Sequence, residues 1–144
     1  MSALGDGPSV ALRERVAACL AGMVEVQSPT RETNGDDSLS FRYDGAPCAV
    51  RVVRLAEGLE MVSMTCVLTW DARRGGVLDE RITSARSAVQ FGSLEVIDRG
   101  DEADVLLQYA FPGTGLEDEP LSTMLMLVLG GVSDARAALV PAVD

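Results

Sequence analysis

The chain has 144 residues, which is enough for one domain with a buried core and too few for two domains of ordinary size. Apolar residues make up 47% and charged residues 24%, a balance typical of a folded protein rather than a disordered one. The sequence contains no histidine, which excludes histidine zinc ligands, Ser-His-Asp and Cys-His catalysis, and a histidine general base. The composition therefore favours binding over catalysis, and we expect no catalytic residue, metal ligand or cofactor.

The net charge is -10, and it is concentrated toward the C-terminus. Residues 101–144 carry eight acidic side chains and a single basic one, Arg136. Because no basic stripe compensates for this charge, we expect neither nucleic acid nor an anionic membrane surface as a partner. An acidic surface either attracts basic partners or keeps the protein in solution, and both interpretations remain open.

The cysteines and the N-terminus indicate a reducing compartment. Cys19, Cys48 and Cys66 are odd in number, widely spaced and set in apolar patterns, so we expect buried, reduced thiols. Residues 1–8 have neither the basic nor the apolar part of a signal peptide. The longest apolar run, 124–132, is far shorter than the roughly 20 residues that span a bilayer. The sequence predicts a cytoplasmic protein.

The N-terminal half predicts one helix and three strands. Pro8 and Ser9 precede an apolar stripe at helical spacing, which predicts an amphipathic helix of about four turns. Its members are Leu12, Val16, Cys19, Leu20 and Met23. After a loop at 28–37, strands are predicted at 39–43, 48–55 and 59–70, with turns at 44–47 and 56–58 between them. The third strand is apolar on both faces. Other elements therefore cover both faces, or they cover one face and the other exposes apolar side chains that can bind a partner.

The C-terminal half predicts a helix, two strands and a final helix. The apolar residues Leu78, Ile82, Ala85 and Val89 define the first of these helices, and strands follow at 93–96 and 103–111. The last helix begins near Glu117; its stripe consists of Leu121, Leu125, Val128, Leu129 and Val132, and the tail 135–143 is weakly helical. Gly130 and Gly131 either end this helix or let it pack closely on a neighbour.

The order α-β-β-β-α-β-β-α predicts a single α+β domain, in which helices cover an antiparallel sheet. We place the domain at residues 9–140, with short tails at 1–8 and 141–144.

Two acidic clusters and one glycine-rich loop invite a chemical interpretation. Asp98, Asp101, Glu102 and Asp104 crowd one turn, but they lack the spacing of a calcium-binding loop and are better explained as a solvated hairpin tip. The acids at 117–119 suit the start of a helix. The sequence Arg-Arg-Gly-Gly at 73–76 lacks the lysine and the spaced glycines of a phosphate-binding loop, so we interpret it as a connector.

The C-terminal half resembles a known family. A helix-to-strand run at 88–96 continues through the acidic turn into 105–109 and then through 116–121 into a helix. This pattern is similar to the YbjN-like domains, which share the fold of bacterial type III secretion chaperones. The resemblance implies a small acidic α+β protein, usually dimeric, that holds partner polypeptides without ATP and without catalysis.

We therefore expect a non-enzymatic, chaperone-like protein that binds partner polypeptides through apolar sheet or helix surface, or by adding a strand at a sheet edge. Met61, Met64, Met124 and Met126 suit either an ordinary core or an adaptable binding surface. The residues assigned to partner binding are Phe41, Val50, Val52, Met61 and Met64. By analogy with the chaperone helix, Leu78, Ile82 and Ala85 are assigned to a homodimer contact. The alternatives are a regulatory or scaffold module that binds a small ligand or a folded partner, and an enzyme that uses acidic residues with a divalent metal.

Overall fold

The structure, a computed structural model, describes residues 10–24 and 38–139. Its eight elements follow the predicted order. They are α1 (Val10–Ala21), β1 (Leu39–Tyr43), β2 (Ala46–Ala56), β3 (Leu59–Arg73), α2 (Gly76–Ala88), β4 (Ser93–Arg99), β5 (Glu102–Pro112) and α3 (Asp118–Leu139). The α+β class and the antiparallel sheet are confirmed, while the predicted loop at 28–37 and both predicted tails lie outside the described residues.

The five strands form one antiparallel sheet in the order β1-β2-β3-β5-β4. Tight turns join β1 to β2, β2 to β3 and β4 to β5; glycines with positive φ occupy them at Gly45, Gly58 and Gly100. After α2 the chain enters the sheet at its far edge as β4 and returns as β5, which pairs with β3. The long strand β3 therefore lies at the centre of the sheet.

The helices cover one face of this sheet. Successive strand residues point to opposite faces, and the buried strand side chains share one face: Leu39, Phe41, Cys48, Val50, Val52, Val62, Met64, Cys66, Leu68, Leu94, Val105, Leu107 and Phe111. They form a single core with buried side chains from all three helices. The other face of the sheet is not covered by any element in the described part of the chain.

Hydrogen bonds from and to charged side chains hold an irregular stretch near the end of β3 in place. The pairing register with β5 shifts between Val67 and Ala72, and Asp71 adopts a left-handed conformation with φ 56°. The backbone N–H of Asp71 donates to the Asp104 carboxylate at 2.9 Å, and the Arg99 guanidinium binds both carboxylates. These bonds satisfy backbone and side-chain groups that the irregular pairing would otherwise leave without partners.

Helix α3 is longer than the sequence pattern suggested. It continues through Gly130 and Gly131 to Leu139, so the glycine pair does not end it. With 22 residues it is long and apolar enough to cross a membrane by length and composition alone. In this fold, however, one side of the helix, from Leu121 to Leu139, is buried in the core. Its apolar character is thus used in packing the domain.

Candidate functional site

The uncovered face of the sheet is an unpartnered surface formed by the described residues, and we call it the open face. Its centre consists of the outward-pointing side chains of β3 and β5: Met61, Ser63, Thr65, Val67, Leu106, Gln108, Ala110 and Pro112. The five strands make this face about 24 Å wide, and the outward residues of β3 extend it about 20 Å along the strands. The surface is therefore a broad, shallow platform.

The composition of this platform is unusual for a solvated sheet. The eight central side chains include no charged group, although the protein carries a net charge of -10. A sheet with one face in water ordinarily alternates apolar residues inside with polar or charged residues outside. Here small, neutral and apolar side chains take the outward positions. A face of this kind is typical of a surface that a partner covers.

Charged residues lie at the flanks of the open face. Arg42 on β1 and Arg51 on β2 lie on one side, Glu95 on β4 lies on the other, and Asp104 on β5 lies at the end next to Leu106. Between them, Val67 pairs with Leu106 and forms an apolar patch in the middle. The arrangement offers apolar contact at the centre and polar contact at both sides.

A depression of about 360 Å³ lies on the open face, where β1, β2 and β3 run side by side. Its wall includes Ser40, Arg42, Ala49, Thr65 and Val67. It opens to solvent along its length, so it suits a side chain or a strand of a polypeptide better than an enclosed small molecule.

The outer side of α3 is a second, smaller apolar surface. Met126 is 58% exposed and Leu127 41% exposed, and no atom lies within 4 Å of the position that a Cβ would take at Gly130. Acidic residues, Asp118 and Asp134 among them, are exposed on the same helix. This stripe is narrower than the open face and adjoins charged groups.

The structure corrects four of the five residues assigned to partner binding. Phe41, Val50, Val52 and Met64 are between 1% and 7% exposed and lie on the helix-covered face, so the expectation that they line an accessible surface is wrong. Met61 lies on the open face and is half-buried. The error arose because β3 is apolar on both faces, and the sequence alone does not show which face of the sheet the helices cover.

The residues assigned to a dimer contact are also internal. Leu78 and Ile82 are each 5% exposed and Ala85 is fully buried, because this side of α2 packs into the core beside α3. An amphipathic helix buries its apolar stripe, and the stripe of α2 already packs against the core of its own chain. The homodimer that the resemblance implies therefore remains a prediction without an assigned contact.

The acidic hairpin tip is partly neutralised by arginines. Arg74 contacts Asp98 at 3.2 Å, and Arg99 contacts Asp104 at 2.7 Å. Hydrogen bonds from the Asp71 backbone N–H and from Arg99 hold the pKa of Asp104 below its ordinary value. Within the described residues, no three metal-binding side chains come close enough together to hold an ion. These acids stabilise the loops, which agrees with their interpretation as a hairpin tip.

The loop at 73–76 is fastened in the same way. The Arg74 backbone N–H donates to the Asp101 carbonyl oxygen at 2.8 Å, and its side chain lies 4.0 Å from Asp79 in the first turn of α2. The loop thus connects β3 to α2, and its hydrogen bond to Asp101 joins it to the β4–β5 turn.

The three cysteines are free thiols, as predicted, but they differ in burial. Cys48 and Cys66 are buried in the core, whereas Cys19 on α1 is half-buried. The Cys19 Sγ lies 3.9 Å from the backbone oxygen of Asp118 at the start of α3.

Comparison of the chain with protein-family models, with curated proteins and with solved structures gives no match. The resemblance to YbjN-like domains therefore remains a prediction.

Proposed function

We propose that this protein is a non-enzymatic, chaperone-like protein of the cytoplasm that binds partner polypeptides on the open face. The observation that carries the proposal is the uncharged centre of that face, eight side chains on β3 and β5 in a protein with a net charge of -10. Covering such side chains removes apolar surface from water without burying an unpaired charge.

The size of the face sets the expected strength of binding. Its dimensions give about 500 Å² of flat surface. A stable interface of standard size buries about 800 Å² on each partner, and smaller interfaces are typical of transient complexes. We therefore expect reversible binding, as a protein that holds and releases its partner requires.

The charge of the whole molecule favours one class of partner. A net charge of -10 attracts positively charged chains over distances of about one Debye length. The partner that fits best is a polypeptide of net positive charge that carries an apolar segment for the centre of the open face. Association should accordingly slow as the salt concentration rises.

The test compares one substitution at two valines. Val67→Glu places a carboxylate at the centre of the open face, whereas Val77→Glu places it on α2, where Val77 is already 63% exposed. Tagged protein is recovered from its native cytoplasm with each substitution, and the partner recovered per mole of bait is quantified. We expect at least a tenfold loss with Val67→Glu and no change with Val77→Glu.

Thermal unfolding of both variants provides the control for folding. A Val67→Glu protein that unfolds cooperatively and retains its full complement of partner would contradict the proposal. An equal loss with both substitutions would also contradict it, because added negative charge alone would then explain the result.

A further inference from the structure

Two buried cysteines face each other across the centre of the sheet. Cys48 on β2 is the direct antiparallel partner of Cys66 on β3, and both side chains point to the helix-covered face. Neither thiol has a role in the proposed binding of polypeptides. The cysteines are 5% and 0% exposed, so the surrounding core fixes their positions.

The spacing of directly opposed residues suits a covalent bond between these two. Paired residues in antiparallel strands have Cα atoms about 4.5 to 5.5 Å apart, which lies within the range of about 4.4 to 6.8 Å that disulfides accept. Hydrogen bonding to Cys48, together with burial, raises the pKa of the Cys66 thiol. The Cys48 thiol also lies 3.5 Å from the carbonyl oxygen of Ala46, which it contacts as a donor.

We propose that Cys48 and Cys66 form a cross-strand disulfide when the protein meets a peroxide. The Cys48 sulfur attacks one oxygen of hydrogen peroxide and loses its proton, the O–O bond breaks, and the departing hydroxide takes up that proton and leaves as water. The Cys66 sulfur then attacks the sulfenic sulfur of Cys48 and loses its proton. The S–S bond forms as the S–O bond breaks, and a second water leaves. Two thiols are oxidised by two electrons in total, and one peroxide is reduced.

The surroundings of the two thiols assign their order of reaction. Cys48 retains some exposure, whereas Cys66 is fully enclosed and held as the neutral thiol. Peroxide must reach a sulfur atom before it reacts, so the more exposed Cys48 is the residue that it oxidises first and Cys66 is the residue that resolves it. The bond would join β2 to β3 directly beneath the next cross-strand pair, Ala49 and Thr65, on the open face.

The experiment uses the full-length protein with Cys19→Ser, which leaves the two core cysteines. The folded protein is treated with hydrogen peroxide, unfolded, alkylated and digested with trypsin. Cleavage after Arg42, Arg51, Arg54 and Arg73 separates the two thiols into peptides 43–51 and 55–73. We expect mass spectrometry to find these peptides joined by a bond that reduction cleaves, and to find both alkylation sites lost.

Two controls keep the inference open to failure. Adding Cys48→Ser, or Cys48→Ala if the serine variant fails to fold, should abolish the joined peptides. In the unsubstituted protein, the half-buried Cys19 reports that the oxidant is active. If Cys19 is oxidised while Cys48 and Cys66 stay alkylatable or only gain oxygen atoms, the proposed disulfide is wrong.

Discussion

Asp104 illustrates how single residues determine local structure in this protein. Its carboxylate accepts the Asp71 backbone N–H at 2.9 Å and contacts Arg99 at 2.7 Å, which holds the irregular end of β3 in place. The sequence indicated an acidic turn here, but no local pattern showed that Arg99 and Asp71 would meet it. Such contacts depend on the register between β3 and β5, which a single sequence does not specify.

The lowered pKa of Asp104 predicts a pH dependence of stability. Because the unfolded chain binds this proton more tightly than the folded chain, the stabilisation is complete above the ordinary pKa of about 4 and is lost as the pH falls through the lowered value. Asp104→Asn should therefore reduce the free energy of unfolding at pH 7 and flatten its decline below pH 4. Denaturant titrations from pH 2 to pH 7 measure this decline. Glu80→Gln serves as the control. If the free energy of unfolding of Asp104→Asn declined with falling pH as steeply as that of the unsubstituted protein, Asp104 would not have this role.

Two glycines should respond in opposite ways to replacement by alanine. At Gly130, on the exposed side of α3, a Cβ would meet nothing within 4 Å, so Gly130→Ala should stabilise the protein by about 1 kcal/mol. At Gly113 a Cβ would lie 2.9 Å from side-chain atoms of both Leu12 and Val62, so Gly113→Ala should destabilise it by about 2 kcal/mol. Thermal or denaturant unfolding measures both values. If both substitutions changed the free energy of unfolding in the same direction, the packing around Gly113 would differ from that described.

At the scale of elements, the sequence predicted each helix and strand but not the arrangement of the strands. Alternation and turn residues identify β1, β2 and β5, and helical spacing identifies α2 and α3. The insertion of β5 between β3 and β4 depends on tertiary contacts. The same limit explains the misplaced binding residues, since both faces of β3 are apolar. A signal was present at Ser63, Thr65 and Gln108, whose neutral side chains alternate with the core residues.

Helix α3 is fastened to the sheet by the one arginine of the acidic C-terminal third. The Arg136 guanidinium donates to the carbonyl oxygen of Leu68 at 2.8 Å, where the pairing register of β3 shifts. Arg136→Met should cost about 2 kcal/mol, because the carbonyl loses a charged donor in a partly buried site. The exposed Arg81→Met should cost less than about 0.5 kcal/mol. Equal losses in denaturant unfolding would show that the Leu68 contact contributes nothing specific.

At the scale of the whole molecule, repulsion among the excess acidic side chains should lower the stability of the fold by more than the surface ion pairs raise it. The ion pairs involve largely exposed side chains and are each worth at most about 1 kcal/mol, whereas the net charge of -10 acts on the entire folded state. Screening with 0.5 M NaCl should therefore raise the midpoint of thermal unfolding. A lower midpoint in salt would mean that the ion pairs dominate.

The central claim is that partners bind the open face, and site-specific photocrosslinking tests it most directly. A photoreactive amino acid replaces Thr65 at the centre of the open face or, as a matched control, Thr123 on the exposed side of α3. Each protein is irradiated in cells of its native source, and the adducts are identified by mass spectrometry. The account predicts an adduct with a different polypeptide at position 65 and none at position 123. An adduct at position 123 alone, or adducts at position 65 only with a second copy of this chain, would contradict it.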